Sequence, residues 1–173
     1  MKILLVYPQF PATFWSFKHA LRFINKKAAH PPLGLLTVAG LLPRQWQLRL
    51  VDENVTVLEE ADLVWADYVF ISAMAVQQES VRRVLARCQQ LGKKMVAGGP
   101  LFTVSWEEYP GIDHLILGEA EVTLPRFLAD LAAGRPERLY RPAPGEWADL
   151  RVTPLPRWDL LAMDKYNAMS LQY

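Results

Sequence analysis

Few side chains in this 173-residue chain have the type and spacing that catalysis requires. The three histidines, His19, His30 and His114, lie in separate segments. No C-x-x-C, H-E-x-x-H, G-x-S-x-G or P-loop motif occurs, so metal and nucleophile chemistry has no sequence support. Glu119 and Glu121 are suited to acid/base work or to polar contact with a ligand. The same pair also suits a helix N-terminus, where the helix dipole favours carboxylates, and both interpretations stay open.

Two predicted strands end in small residues, a pattern that indicates ligand binding. The apolar run at residues 95–97 stops at Gly98, Gly99 and Pro100. Buried parallel strands end in this way where another group must approach the backbone closely. The run at residues 68–71 ends similarly, in small residues at Ser72, Ala73 and Ala75. Because ligands of open α/β sheets bind at the carboxyl ends of the strands, we predict a shallow ligand shelf there.

Five predicted strands alternate with helices along the chain. The strands are predicted at residues 2–7, 47–51, 68–71, 95–97 and 112–117. The helices are predicted at residues 33–42, 57–65 and 76–91, followed by a last helix that Thr123 caps and Gly134 ends. This alternation predicts an α/β, flavodoxin-like fold: a doubly wound, five-stranded parallel sheet in the order 2-1-3-4-5, with helices on both faces. Its switch point lies between the first and third strands, beside the loops at residues 8–10 and 72–74.

Two segments do not fit this alternation. Residues 9–33 form a long connection with a basic cluster on a short helix that Thr13 opens, and the cluster is either a solvated face or a contact with an anionic ligand or partner domain. Residues 135–173 are rich in proline, so we predict a domain at residues 1–134 followed by a linker. Within the linker, the apolar side chains expected to dock back on the domain are Trp158, Leu160 and Leu161. Residues 166–173 resemble the start of a further strand, so the chain is interpreted as part of a longer protein.

Composition excludes several classes of function. The net charge is +1 with acids and bases interspersed, which disfavours nucleic acid and anionic membranes as partners. The N-terminal apolar run is too short for a signal peptide or a transmembrane segment, so a soluble cytoplasmic protein is expected. The only cysteine, Cys88, lies in a helical pattern typical of core packing. Asp52 follows the second strand as in dinucleotide folds, but the glycine motif that should accompany it is absent.

The loop sequences, in their order along the chain, resemble one family. These motifs are Y-P-Q-F-P, H-P-P-L-G-L-L-T-V-A-G-L-L-P, V-D-E-N, I-S-A-M, V-A-G-G-P, L-G-E-A-E, W-D-L-L and a terminal M-S-L-Q-Y. Together they resemble the N-terminal cobalamin-binding domain of radical S-adenosylmethionine enzymes, and most of all the subgroup that includes hopanoid methylases. Each motif alone is weak, whereas their succession along essentially the whole chain is specific.

The resemblance implies a set of cofactor-binding residues. Ser72, Ala73 and Met74 would lie beside the nucleotide tail of cobalamin, the two glycines after the fourth strand would let the tail lie against backbone, and Gly118 would belong to the rim. The full predicted set is Pro8, Gln9, Phe10, Ser72, Ala73, Met74, Gln77, Gly98, Gly99, Pro100, Gly118, Glu119 and Glu121. We further expect that Gly99→Val would obstruct the ligand and leave the fold largely intact.

The first loop departs from the classical cobalamin domains. Those domains carry D-x-H-x-x-G after the first strand, and its histidine ligates cobalt, whereas here the place is taken by residues 8–12, P-Q-F-P-A. Any bound cobalamin is therefore expected to lack histidine ligation.

The implied function is a cobalamin-binding module of a radical S-adenosylmethionine methyltransferase that acts on an unactivated carbon of a small-molecule or lipid substrate. The [4Fe-4S] cluster and S-adenosylmethionine would belong to a downstream radical domain of the same chain, which would be the module's partner. The alternative is a degenerate domain of the same fold that binds no corrinoid and serves in docking or substrate shaping.

Overall fold

A computed structural model describes residues 1–12, 21, 23 and 25–167. The strands are β1 (Lys2–Tyr7), β2 (Gln47–Asp52), β3 (Tyr68–Ser72), β4 (Lys94–Gly98), β5 (His114–Ile116) and β6 (Leu139–Tyr140). The helices are α1 (Leu33–Leu41), α2 (Glu60–Trp65), α3 (Gln78–Gln90), α4 (Pro100–Ser105) and α5 (Ala120–Ala132). Short 3-10 turns lie at Ala75–Gln77, Trp106–Glu108, Leu150–Val152, Trp158–Leu160 and Met163–Lys165.

Within the described residues the sheet is parallel and six-stranded, in the order β2-β1-β3-β4-β5-β6. The predicted sheet of five strands in the order 2-1-3-4-5 is therefore wrong in strand count, and its order lacks the strand at the edge. β6 pairs with β5 through Leu115 opposite Leu139 and Ile116 opposite Tyr140. A strand of two residues carries no readable periodicity, and this one lies between prolines in the segment predicted as a linker.

Both faces of the sheet are covered by helices, which explains why the central strands are continuously apolar. In β1 the side chains of Ile3 and Leu5 join a cluster with α1 and α5, while those of Leu4 and Val6 join a cluster with α2, α3 and α4. All four are fully buried. Burying each such side chain contributes roughly 1.5–3 kcal/mol to stability. Cys88 lies fully buried in the second cluster, so its prediction as a core residue is confirmed.

The predicted helices need three corrections. α2 begins at Glu60 and not at residue 57, because Glu59 is its N-cap residue and its backbone N–H donates to Asp62 Oδ2 at 3.2 Å. α5 begins at Ala120 with Glu119 as its N-cap residue, so Thr123 is not the cap; its hydroxyl lies inside the helix and donates to the Glu119 carbonyl at 3.1 Å. α4 was not predicted, because the glycines and proline before it were interpreted as a loop. Pro100 instead occupies the first turn of α4, where its fixed φ suits a helix and its missing N–H costs nothing.

The segment after α5 returns to the domain. Leu160 packs against the cluster that contains α1 and α5, and Leu161 packs against a small cluster of Ala28, Val55 and Tyr166. Tyr166 also forms an isolated parallel bridge with Ala28. The predicted strand beyond Asn167, the cap at Thr13 and most of the basic cluster lie outside the described residues. No helix in the described part of the chain is both long and apolar enough to cross a membrane.

Candidate ligand site at the carboxyl ends of the strands

A cleft opens at the carboxyl ends of β3, β4 and β5, between the helices α1 and α5. Its volume is about 390 Å³, part of which is open to solvent. It is lined mainly by apolar and small residues, namely Leu35, Val38, Phe70, Ile71, Ser72, Val96, Ala97, Gly98, Gly99, Ile116, Gly118, Ala120 and Leu124. Ligand pockets in proteins commonly have mostly apolar walls with a few polar groups. The cleft therefore has the lining of a ligand site, although it is shallow and largely open to solvent.

The glycines in this cleft are required by the packing of the chain itself. Gly99 has a φ of 88°, and a Cβ there would lie 2.7 Å from Ser72 Oγ. A Cβ on Gly98 would lie 2.7 Å from the backbone oxygen of Ile116. The reasoning behind Gly99→Val was therefore wrong, because the added side chain would first collide with the protein and strain the backbone. A loss of binding in that variant would not identify a ligand contact.

The polar side chain of Gln77 joins the loops that follow β1 and β3. Its exposed fraction is 1 %. Its Oε1 accepts a hydrogen bond from the backbone N–H of Met74 at 2.7 Å, and its Nε2 donates to the carbonyl of Pro8. Because both ends of the buried amide are satisfied, Gln77 fixes the two loops relative to each other at the switch point of the sheet.

A second pocket, more polar than the cleft, lies beside the loop after β1. Its volume is about 620 Å³, part of which is open to solvent, and it is lined by Gln9, Phe10, Pro11, Ala12, Val76, Glu79, Ser80 and Arg83. The backbone N–H of Gln9 donates to Ser80 Oγ at 3.0 Å, and the Ser80 hydroxyl donates to Glu53 at 2.9 Å. The side chain of Gln9 is exposed to solvent, whereas Phe10 is partly buried against Tyr7.

Glu119 and Glu121 do not line the cleft. The backbone N–H of Ala148 donates to Glu119 Oε2 at 2.6 Å, and the hydroxyl of Thr153 donates to Glu121 Oε1 at 3.5 Å. Both carboxylates thus lie at the N-terminus of α5, as the helix dipole favours, and hold a later part of the chain. We call that part, residues 142–157, the C-terminal strap.

The C-terminal strap connects the two helices that form the walls of the cleft. Beyond its contacts with α5 it reaches α1, where the backbone N–H of Arg157 donates to the carbonyl of Leu36 at 3.1 Å. The strap also lies directly on Gly40, since a Cβ at that position would be 2.8 Å from the oxygen of Leu155. The distance between α1 and α5, and hence the width of the cleft, is set partly by this segment.

The remaining predicted site residues differ in accessibility. Ala73 is buried, Met74 has an exposed fraction of 46 %, and Pro100 is exposed at the start of α4. His114 is the first residue of β5 and so lies at the amino end of that strand, opposite the cleft, where its Nδ1 is 2.6 Å from the carbonyl of Glu137. His30 is exposed, and His19 lies outside the described residues.

The sequence interpretation missed the walls of the cleft. The helical pattern of Leu35, Val38 and Leu124 predicts only that they cover the sheet, whereas in the structure they line the cleft beside the strand ends. The sequence of α1 could have indicated this wall, because the helix is apolar on all sides although it lies on one face of the sheet.

Comparison with protein families identifies the chain. Residues 22–128 match the model of the B12 binding domain. The chain belongs to the B12-binding domain family. An uncharacterised methyltransferase of Synechocystis sp. is 43% identical over 175 residues, covering 100% of this chain and 32% of the relative. The hopanoid C-2 methylase of Rhodopseudomonas palustris is 32% identical, covering 99% of this chain and 33% of the methylase. An uncharacterised methyltransferase of Pyrococcus horikoshii is 28% identical, covering 97% of this chain and 40% of the relative.

The chain thus spans between about a third and two fifths of the length of these curated relatives. The lining of the cleft suits the cofactor that gives the family its name. Cobalamin carries a nucleotide tail that ends in a flat, largely apolar base, and the cleft offers apolar walls on two helices with small residues at the strand ends. Ser72 supplies a hydroxyl at the cleft for polar contact with such a tail.

Proposed function

We propose that the chain is the cobalamin-binding module of a radical S-adenosylmethionine methyltransferase. The observation that carries this proposal is the family match over residues 22–128, together with an apolar cleft at the strand ends where such domains hold their cofactor. The names of three relatives, all of them methyltransferases or methylases, support the class of reaction.

In this proposal the nucleotide tail lies in the cleft. Leu35 and Val38 on one side and Leu124 on the other exclude water from the base, and Ser72 and the adjoining backbone supply polar contacts. The loop of residues 8–10 would face the corrin ring, with Gln9 and Phe10 at the place where the classical domains carry a histidine. When bound, cobalamin supplies a methyl group, taken from S-adenosylmethionine, to a carbon of the substrate. No protein nitrogen is expected on cobalt.

The remaining parts of the reaction belong to a further domain. The relatives are roughly two and a half to three times as long as the part that this chain matches, which leaves room for a domain that binds a [4Fe-4S] cluster and S-adenosylmethionine. The substrate is proposed to be a small molecule or a lipid. The lipid class is favoured by the hopanoid methylase, whose name states a lipid substrate for that relative.

A second candidate function is a degenerate domain that binds no corrinoid and serves in docking. It is favoured by the first loop, which lacks the histidine and has its backbone N–H groups at Gln9 and Phe10 already bonded within the protein. In that case the cleft and the polar pocket would take no cofactor.

A pair of matched variants separates the two candidates. Val38→Phe adds an aromatic ring to a half-buried position on the wall of the cleft, whereas Val64→Phe makes the same change at an exposed position of α2. Each protein is mixed with hydroxocobalamin and passed through a gel-filtration column, and the visible absorbance of the protein fraction is recorded. We expect retention by the wild type and by Val64→Phe, and loss of retention in Val38→Phe with an unchanged circular dichroism spectrum. A colourless wild-type fraction would favour the degenerate domain.

A further inference from the structure

A buried carboxylate at the end of β2 lies between the C-terminal part of the chain and the loop after β1. Asp52 has an exposed fraction of 3 %. Its Oδ1 accepts hydrogen bonds from the backbone N–H and the side-chain amide of Asn54, at 2.9 and 2.7 Å, and its Oδ2 accepts one from the hydroxyl of Tyr166 at 3.0 Å. Removing a carboxylate from water is costly unless hydrogen bonds replace its hydration. Burial raises the pKa of Asp52 in spite of these three bonds.

The carboxylate fixes the orientation of Asn54. An ionised carboxylate only accepts hydrogen bonds, so the NH2 group of Asn54 must face Asp52. The Oδ1 of Asn54 is then directed to the loop, where it accepts the backbone N–H of Phe10 at 2.8 Å. The Asn54 amide also lies 3.4 Å from the carbonyl of Pro8. The geometry of the loop of residues 8–10 therefore depends on the side chain that Asp52 holds in place.

Tyr166 reaches this carboxylate from a position 114 residues away in the chain. Its side chain is buried, with an exposed fraction of 3 %, and packs with Ala28 and Val55. The backbone on either side is also fixed, because Lys27 N–H donates to the carbonyl of Lys165 at 2.8 Å and Asn167 N–H donates to that of Ala28 at 3.0 Å. Docking of residues 163–167 thus places the phenol hydroxyl against the carboxylate.

We propose that Tyr166 is a positioning residue for the cofactor: through Asp52 and Asn54 it holds the loop of residues 8–10 in the geometry that faces the corrin ring. Docking of residues 163–167 and the shape of the loop then form one coupled unit. Since coupling between two sites is reciprocal, cofactor binding must in turn stabilise the docked position of residues 163–167. This inference rests on the proposed cobalamin function, but its structural part concerns the loop alone.

The chain offers a matched control for the hydroxyl of Tyr166. Tyr166→Phe removes one oxygen and keeps the ring that packs against Ala28. Tyr109→Phe removes a buried hydroxyl that has no hydrogen-bond partner among the described residues. Both variants lose the same atom from a buried ring, and only one of them loses contact with Asp52.

The first readout needs no cofactor. Amide hydrogen exchange measured by NMR should show faster exchange of the Phe10 N–H in Tyr166→Phe by about three- to tenfold, since Asn54 is then held less firmly. The neighbouring Gln9 N–H is bonded to Ser80 and not to Asn54, so its exchange should change less than that of Phe10. Unchanged exchange at Phe10, relative to Tyr109→Phe, would overturn the proposal whether or not cobalamin binds.

The second readout uses hydroxocobalamin with the purified chain. We expect Tyr166→Phe to bind about three- to tenfold more weakly than Tyr109→Phe, with a shifted visible spectrum of the bound cofactor, because the loop that would contact the ring is altered. Asn54→Ala should give a similar loss, and the double variant should lose little more than either single variant, since both act through one line of hydrogen bonds. If the losses of affinity in the two single variants add up in the double variant, Tyr166 does not act through Asn54. A wild-type chain that binds no hydroxocobalamin would contradict the proposed function and the cofactor part of this inference, while the exchange of Phe10 would still decide the structural part.

Discussion

The contact between the C-terminal strap and α1 makes a sharp prediction about two glycines of the same helix. Gly34 and Gly40 both lie in α1. Alanine loses less backbone entropy than glycine when a helix forms, so replacing either glycine with alanine should stabilise the helix. A Cβ at Gly34 meets no atom within 4 Å. A Cβ at Gly40 would lie 2.8 Å from the oxygen of Leu155 and 3.3 Å from the ring of Pro154. Both variants therefore gain helix stability, but only in Gly40→Ala does the new methyl group collide with Leu155 and Pro154.

The magnitude follows from these distances. Ordinary contact begins at 3.4 Å, so the oxygen of Leu155 must move by about 0.6 Å, the difference between 3.4 and 2.8 Å. Alanine in place of glycine stabilises a helix by up to about 1 kcal/mol. Overpacking costs about 1–3 kcal/mol when the neighbours stay in place. Gly34→Ala should raise the free energy of unfolding by about 0.5–1 kcal/mol relative to the wild type. The free energy of unfolding of Gly40→Ala should be about 1–3 kcal/mol lower than that of Gly34→Ala.

Two assays measure this difference. Urea denaturation gives the free energies of unfolding, and limited digestion with trypsin reports release of the strap through cleavage after the exposed Arg151. We expect faster cleavage in Gly40→Ala than in Gly34→Ala or the wild type, since a displaced strap is more accessible. Equal cleavage rates and equal stabilities in the two variants would refute the placement of the strap against α1.

Three further predictions concern titrating groups and histidines. Burial raises the pKa of Cys88 to about 11, so the thiol should resist alkylation by iodoacetamide at pH 8 in the folded chain and react rapidly in urea; fast reaction without urea would contradict its burial. The pKa of Asp52 is raised above 3.8 in the folded state, so its contribution to stability is present at low pH and is lost as the pH rises through the raised pKa. In urea titrations at increasing pH from 3.8, the free energy of unfolding of the wild type should therefore fall relative to that of Asp52→Asn. A constant difference between the two proteins would be evidence against the shift. In cob(II)alamin bound to the chain, electron paramagnetic resonance should lack nitrogen splitting from the protein; splitting that disappears in His30→Ala or His114→Ala would show that a histidine ligates cobalt.

The architecture was predictable because its signal is local and repeated. The strands of the central sheet are buried on both faces, so each is a continuous apolar run that ends at small or turn-forming residues, and all five predicted strands form with ends moved by at most two residues. β6 could not be predicted, because its two residues lie between prolines and carry no periodic pattern. Its pairing depends on the neighbouring edge of β5, which a local pattern does not contain.

The candidate site was predictable only in part, because its polar partners lie far apart in the chain. Small residues after β3 and β4 correctly indicated close approach of backbone, but what approaches Gly98 and Gly99 is the protein's own chain at Ile116 and Ser72. Glu119 has a partner 29 residues away in the strap, and Asp52 has one 114 residues away at Tyr166. Spacing along the sequence gives no sign of such pairs. It does predict the position of Glu119 and Glu121 at the N-terminus of α5, because the helix dipole favours carboxylates there.

The most direct test of the proposed site compares cobalamin with cobinamide, which has the same corrin ring and lacks the nucleotide tail. The purified chain is titrated with hydroxocobalamin and with aquacobinamide, and binding is followed by the visible spectrum and by equilibrium dialysis. If the tail lies in the cleft between α1 and α5, hydroxocobalamin should bind at one equivalent per chain and cobinamide should bind at least tenfold more weakly, since the apolar walls then bury nothing. Equal affinity for the two compounds, or no retention of hydroxocobalamin at all, would contradict the assignment of the cleft.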